Sequence, residues 1–174
     1  LYALTWRDNS YVAAGYTFEL KADFHQWKEI LGDDYIVIFK PHYLIINNYA
    51  NDHSLDGFLY SISADAEINE LYVLSDILIT DYSSVMFDYA NLKRPIIFFT
   101  YDIEQYRDSL RGFYFDFVNE VPGPISRDTD QLIEDILTYD PVQWKDKYDA
   151  YHEKFNCRDD GKAADKIVKK ITGQ

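Results

Sequence analysis

Apolar runs alternate with amphipathic segments along the whole chain, the pattern produced when strands of a mostly parallel sheet are joined by helical crossovers. Leu1 to Trp6 is short and apolar and precedes the polar break Arg7-Asp8-Asn9-Ser10, so it reads as a first strand with its loop. Between 21 and 31, Phe24, Trp27, Ile30 and Leu31 recur at the spacing of one helix face, and Gly32-Asp33-Asp34 ends that helix. Tyr35 to Phe39 is β-rich and nearly all apolar, the pattern of a strand buried on both faces, and Lys40-Pro41-His42 follows at once. Residues 44 to 57 are irregular, and Phe58 to Ile62 forms a further short strand. A helix from Ala66 to Ser75 turns Ile68, Leu71, Tyr72 and Leu74 inward, and Ile77 to Thr80 is another buried strand. Asp81-Tyr82-Ser83-Ser84 leads into a helix through Leu92, and Pro95 opens the strand Ile96 to Phe99. Residues 102 to 110 form a short helix, Gly112 to Val118 is aromatic and extended, and Pro122-Gly123-Pro124 forces a turn. Two or three helices with a break at Gly161 complete a single α/β domain spanning 1–174.

Composition narrows the function. At 174 residues and 47% hydrophobic, the chain holds one ordinary domain with a full core. The 16 Tyr and 11 Phe read as packing residues. No segment reaches the ~18 uninterrupted apolar residues of a membrane span. The net charge of -13, from 30 acidic and 17 basic side chains, opposes nucleic-acid binding. A local phosphate pocket stays open, because a helix N-terminus and one or two cations act at short range. Cys157 is the single cysteine, so an internal disulfide is excluded and a reducing, cytosolic setting is the simpler reading. His25, His53 and His152 have no partner at metal-ligand spacing, so no metal site is expected. The 7 glycines form neither a P-loop nor a Gly-x-Gly-x-x-Gly. Asp102, Glu104 and Asp108 read as a solvated helix face, and Asp116 as a satisfied residue at a strand edge.

The sharpest candidate chemistry lies in the run from Ile77 to Asp88. In an open parallel sheet, ligands sit beyond the carboxyl ends of the strands, often at a helix N-terminus. Free N–H groups there favour an anion, and the hydroxyls of Thr80, Ser83 and Ser84 would add donors to phosphate oxygens without adding charge. Asp88 follows Ser84 by four residues, on the same helix face, where a carboxylate can accept from ribose hydroxyls. An ordinary Ser N-cap followed by a solvated aspartate accounts for the same spacing equally well. Lys40 and His42 mark a second strand end, offering a cation and a titratable donor. Thr5-Trp6-Arg7 marks a third, with Arg7 able to grip a phosphate bidentately.

Taken together, Ser75 to Tyr89, Arg94 to Phe98, Arg111 to Asp116, Pro122-Gly123-Pro124, Leu4 to Asp8 and Asp160 to Ala164 resemble the CDP-glycerol glycerophosphotransferases of teichoic-acid synthesis. Lys40-Pro41-His42 replaces an Arg-x-His-Pro-like run and Ala3-Leu4-Thr5 an Ala-Pro-Thr pattern. The resemblance implies a Rossmann-like parallel sheet with flanking helices, the C-terminal donor-binding domain of a two-domain GT-B transferase. It implies a CDP-glycerol donor, a lipid-linked polyol-phosphate acceptor, an N-terminal domain outside this chain that supplies the general base, and no cofactor. The same resemblance assigns donor contacts to Thr5, Trp6, Arg7, Lys40, Ser83, Ser84 and Asp88, beside the Thr80 hydroxyl read from the strand end, and a charge-neutralising catalytic role to His42. It implies work at the cytoplasmic face of the membrane as a peripheral protein, with docking left to the other domain, since this acidic chain is read as lacking a basic amphipathic helix. CDP-ribitol or a nucleotide sugar is the alternative donor. A phospho-receiver module with Asp81 as acceptor is the remote alternative, disfavoured because Asp8 is a lone carboxylate.

Overall fold

A computed structural model of the chain describes residues 1–5, 11–12, 15–16, 20–41, 52–63 and 65–173. Six parallel strands form the sheet: β1 (Tyr2–Ala3), β4 (Val37–Lys40), β5 (Leu59–Ser61), β6 (Leu78–Thr80), β7 (Ile96–Phe99) and β8 (Ile125–Ser126), in the order β5-β4-β1-β6-β7-β8. A separate antiparallel pair, β2 (Tyr11–Val12) with β3 (Gly15–Tyr16), lies between β1 and the first helix in sequence. The chain runs outward from β1 to β4 and β5, then returns past β1 to build β6, β7 and β8. This is the doubly wound 3-2-1-4-5-6 arrangement of a Rossmann sheet, and its direction reverses between β1 and β6.

Alternation along the strands sorts side chains into two layers. Tyr2, Leu4, Val37, Phe39, Ile79, Ile97 and Phe99 face α1 (Phe24–Leu31) and α6 (Thr129–Leu137), where Phe24, Trp27, Leu132, Ile133 and Ile136 meet them. Leu1, Ala3, Leu78, Ile96 and Phe98 point the other way, toward α2 (Ile68–Leu74), α3 (Val85–Tyr89), α4 (Ile103–Gln105), α5 (Phe117–Glu120) and α7 (Pro141–Phe155). The aromatic side chains pack as expected. Tyr82 stacks on Tyr106 at 4.0 Å and Phe113 on Phe117 at 4.8 Å, which extends the second layer under the loop after β6.

Several expectations are corrected. Gly112 to Val118 is not a strand: it is an aromatic loop ending in α5, whose N-cap is Asp116, so that carboxylate accepts from Asn119 N and is no strand-edge residue. β propensity misled because Phe113, Phe115 and Phe117 are covered, the last fully, by packing on rings rather than by pairing in a sheet. Residues 102–110 hold α4 and then a π-helical turn, Tyr106–Leu110. Ile30 and Leu74 lie outside the buried faces assigned to them, and β4 is only half covered, with Val37 and Phe39 buried, Ile38 half-buried and Ile36, just before the strand, exposed. β8 follows the Pro122-Gly123-Pro124 turn directly, and Phe98 N donates to Pro124 O. Finally, α8 (Ala163–Thr172) is a basic amphipathic helix, with Ile167, Val168 and Ile171 exposed and Lys166, Lys169 and Lys170 on the polar arc. The acidic average of the chain hides this local reversal of charge. Among the described residues no helix is long and apolar enough to cross a membrane.

Candidate functional site

Because all six strands run parallel, their carboxyl ends share one edge, and β4, β1 and β6 are neighbours there. Lys40, Thr5 and the Asp81–Ser84 loop therefore stand on three adjacent strand ends, while His42, Trp6 and Arg7 lie outside the described residues. A cavity of about 280 Å³ lies at the opposite edge, lined by Leu1, Ile36, Ile38, Leu74 and Ile77, and includes none of the candidate residues. It occupies the side where strands begin, away from the edge at which such sheets bind ligands.

The loop after β6 is built around Asp81. That side chain is 2% exposed, and its Oδ1 accepts from Ser83 N at 3.2 Å and from Thr5 N at 2.9 Å. The first contact is an ordinary Asx turn. The second crosses from β6 to the end of β1, 76 residues away in sequence. A carboxylate so enclosed and engaged is closed to a phosphoryl donor, which disfavours the receiver alternative. Sequence reasoning missed this role, since only the turn half of it is local.

Beyond Asp81 the chain enters α3 by a tight turn, with Met86 N donating to Ser83 O and Phe87 N to Ser84 O. Ser84 occupies the N-cap position but makes no side-chain cap bond. Thus neither serine hydroxyl is consumed in capping, and the amides of Ser84 and Val85 have no hydrogen-bond partner among the described residues. Two hydroxyls and two N–H groups are grouped in three successive residues, Ser83 half-buried and Ser84 exposed. α3 is only five residues long, so these discrete donors, rather than a long-helix dipole, are what the loop offers an anion.

The remaining candidates are less convergent. Thr80 is fully buried in the layer that holds Leu78, and its Oγ1 has no partner among the described residues. Lys40 Nζ donates to Ser63 O at 2.7 Å, so its ammonium is engaged on the β5 side of the sheet. Asp88 is exposed on α3, one turn beyond Ser84, and its carboxyl is raised above the ordinary range by partial burial and then by the charge of Asp159. It therefore leans toward protonation more than a free aspartate. No cluster of three His, Cys, Asp or Glu side chains suited to a metal ion occurs among the described residues.

Other parts of the motif set prove architectural. Arg94 Nη1 donates to the carbonyl oxygens of Val73 at 2.8 Å and Ser75 at 2.7 Å, closing the end of α2. Asp160 accepts from Lys162 N and Lys166 Nζ, which starts α8 after the left-handed Gly161.

Comparison with known proteins agrees with this fold. The family model described as CDP-Glycerol:Poly(glycerophosphate) glycerophosphotransferase matches residues 1–173. The teichoic acid poly(glycerol phosphate) polymerase of Bacillus subtilis (strain 168) is 47% identical over 98% of this chain and 23% of its own length. The protein of that description from Bacillus spizizenii (strain ATCC 23059 / NRRL B-14472 / W23) is 44% identical over 99% of this chain and 44% of its own. A structure of the wall teichoic acid polymerase TagF, a variant soaked with CDPG, superposes with a TM-score of 0.83 at 41% identity, covering 99% of this chain and 42% of that one. The chain thus spans less than half the length of these relatives. It belongs to the CDP-glycerol:poly(glycerophosphate) glycerophosphotransferase family.

Proposed function

We propose that this chain is the donor-binding, C-terminal half of a two-domain GT-B transferase that moves glycerol phosphate from CDP-glycerol to a lipid-linked polyol-phosphate acceptor in teichoic-acid synthesis. The observation that carries the reading is the grouping of uncommitted donors at Ser83, Ser84 and Val85, beside the crevice where the sheet reverses direction between β1 and β6. Family membership and the CDPG soak of the TagF variant support it.

In the proposed reaction an acceptor hydroxyl oxygen attacks the β-phosphorus of the donor. The bond from that phosphorus to the bridging oxygen breaks, and CMP departs with the electron pair. The hydroxyl proton passes to a base on the domain outside this chain. Ser83 and Ser84 hold the pyrophosphate through hydroxyl and amide donors, which matter most as charge moves onto the leaving oxygen. His42, with Arg7 and Lys40, neutralises that charge, Thr5 and Trp6 line the β1 side, and Asp88 accepts from the nucleoside hydroxyls. Thr80, fully buried at the end of β6, stands directly before the loop. The enzyme works as a peripheral protein at the inner face of the membrane, where its acceptor is anchored.

Calorimetric titration with CDP-glycerol, CMP and UMP tests the reading. Saturable binding that prefers cytidine and disappears in the Ser83→Ala, Ser84→Ala double variant is expected. Equal affinity for CMP and UMP, or full binding by the double variant, would overturn it. CDP-ribitol in the same titration separates the donor tails.

A further inference from the structure

We propose that Asp81 is a positioning residue: one buried carboxylate oxygen staples the end of β1 to the loop after β6 and so sets the width of the crevice between them. The inference rests on the donor-site reading above.

In a doubly wound sheet the crevice arises because the loops from the two strands at the reversal point diverge. Nothing in that topology fixes how far apart they stand. Here β1 and β6 are adjacent, with Tyr2 opposite Ile79, so the parallel register brings Leu4 level with Asp81. From that position Asp81 Oδ1 accepts from Thr5 N at 2.9 Å on one lip and from Ser83 N at 3.2 Å on the other. Both amides are held by one atom, so neither lip can move without the other. The side chain is 2% exposed, which shields both bonds from competing water. Pure turn chemistry would require only the Ser83 contact. The Thr5 contact is what couples Ser83 and Ser84 to the first strand end. Asp81 itself is buried and touches no ligand in this scheme. It acts through the amides it holds.

The test uses Asp81→Ala, which removes the acceptor, and Asp81→Asn, which keeps an oxygen there. Ser75→Ala serves as a control, since Ser75 is also buried and its Oγ donates to Leu71 O at 2.6 Å on the opposite edge of the sheet. Hydrogen exchange at the Thr5 and Ser83 amides, with CMP affinity measured alongside, is read well below the melting temperature. Asp81→Ala is expected to accelerate exchange at both amides at least tenfold beyond any change at the β7 amides, and to weaken CMP binding at least fivefold. Asp81→Asn should stay within threefold on both readouts, and Ser75→Ala should lower stability while leaving affinity intact. The staple is overturned if exchange at Thr5 and Ser83 rises only in step with the β7 amides, or if Asp81→Asn is as damaging as Asp81→Ala. Should Asp81→Ala fail to fold, Asp81→Ser carries the comparison, its hydroxyl being too short to reach both amides. Exchange needs no ligand. A wild-type chain that ignores CMP therefore sinks the donor-site reading alone, while exchange still decides the staple.

Discussion

Replacing Arg94 with methionine should loosen the joint between α2 and the sheet by a calculable amount. The guanidinium donates to the carbonyl oxygens of Val73 and Ser75 at 2.8 and 2.7 Å, with a longer approach of 3.4 Å to Tyr72. Two charge-assisted bonds at about 1.5–3 kcal/mol each set the upper bound. Part of that is returned after substitution. Val73 is exposed, so water can take over at its carbonyl, and Ser75 O keeps the Tyr89 hydroxyl at 2.8 Å. Methionine also preserves most of the apolar stem, which limits the packing loss. A net loss of about 2 kcal/mol follows, equivalent to a fall in melting temperature of about 4–8 °C for a chain of this size. Arg94→Lys should recover roughly half, because an ammonium keeps the charge but lacks the fork that reaches several carbonyls. Urea unfolding of the three proteins gives the comparison. A loss below about 0.5 kcal/mol for Arg94→Met, the range of an ordinary surface change, would refute the reasoning. So would a lysine variant no better than methionine.

Gly123→Ala should cost about 3 kcal/mol, since the added Cβ would stand 1.7 Å from Ile96 O, a backbone atom of β7 with no flexible end to give way. Thermal unfolding within about 2 °C of wild type would show that the turn can move after all. Asp88→Asn should raise stability at pH 7. The folded carboxyl is raised above its ordinary 3.8, so the native state holds a proton more tightly than the unfolded chain, and ionisation penalises folding as pH rises. The gain should shrink as pH falls through the raised value and vanish below 3.8. A stability difference that does not change with pH would exclude this origin.

Much of the fold is legible in the sequence because burial writes a strong pattern. Ile77 to Ile79, leading through β6, and the whole of β7 are continuous apolar runs, and α1 repeats Phe24, Trp27 and Leu31 at helical spacing. The shared edge of Lys40, Thr5 and Ser83 follows once the strands are taken as parallel. What escapes has a common cause, namely dependence on distant partners. β8 is two residues long and reads as the tail of a proline turn until β7 is beside it. Ile30 and Leu74 obey the helical period yet lie beyond the reach of the sheet. Asp81 shows only its turn chemistry locally, while its second bond goes to Thr5.

The placement of β1 has a consequence for the order of folding. The shortest strand in the sheet's interior is also the first in sequence, and its bond to Asp81 closes a loop of 76 residues. Closing such a loop costs roughly 4 kcal/mol in chain entropy, repaid by a strand of only two residues. The β4–β5 and β6–β7 pairs close shorter loops, Val37 with Leu59 and Leu78 with Ile96. They can assemble as two half-sheets before β1 is captured between them. The last strand to dock would then be the one that brings Thr5 to Asp81, so the crevice would come into existence at the final step of folding, and a ligand for it would select the finished chain.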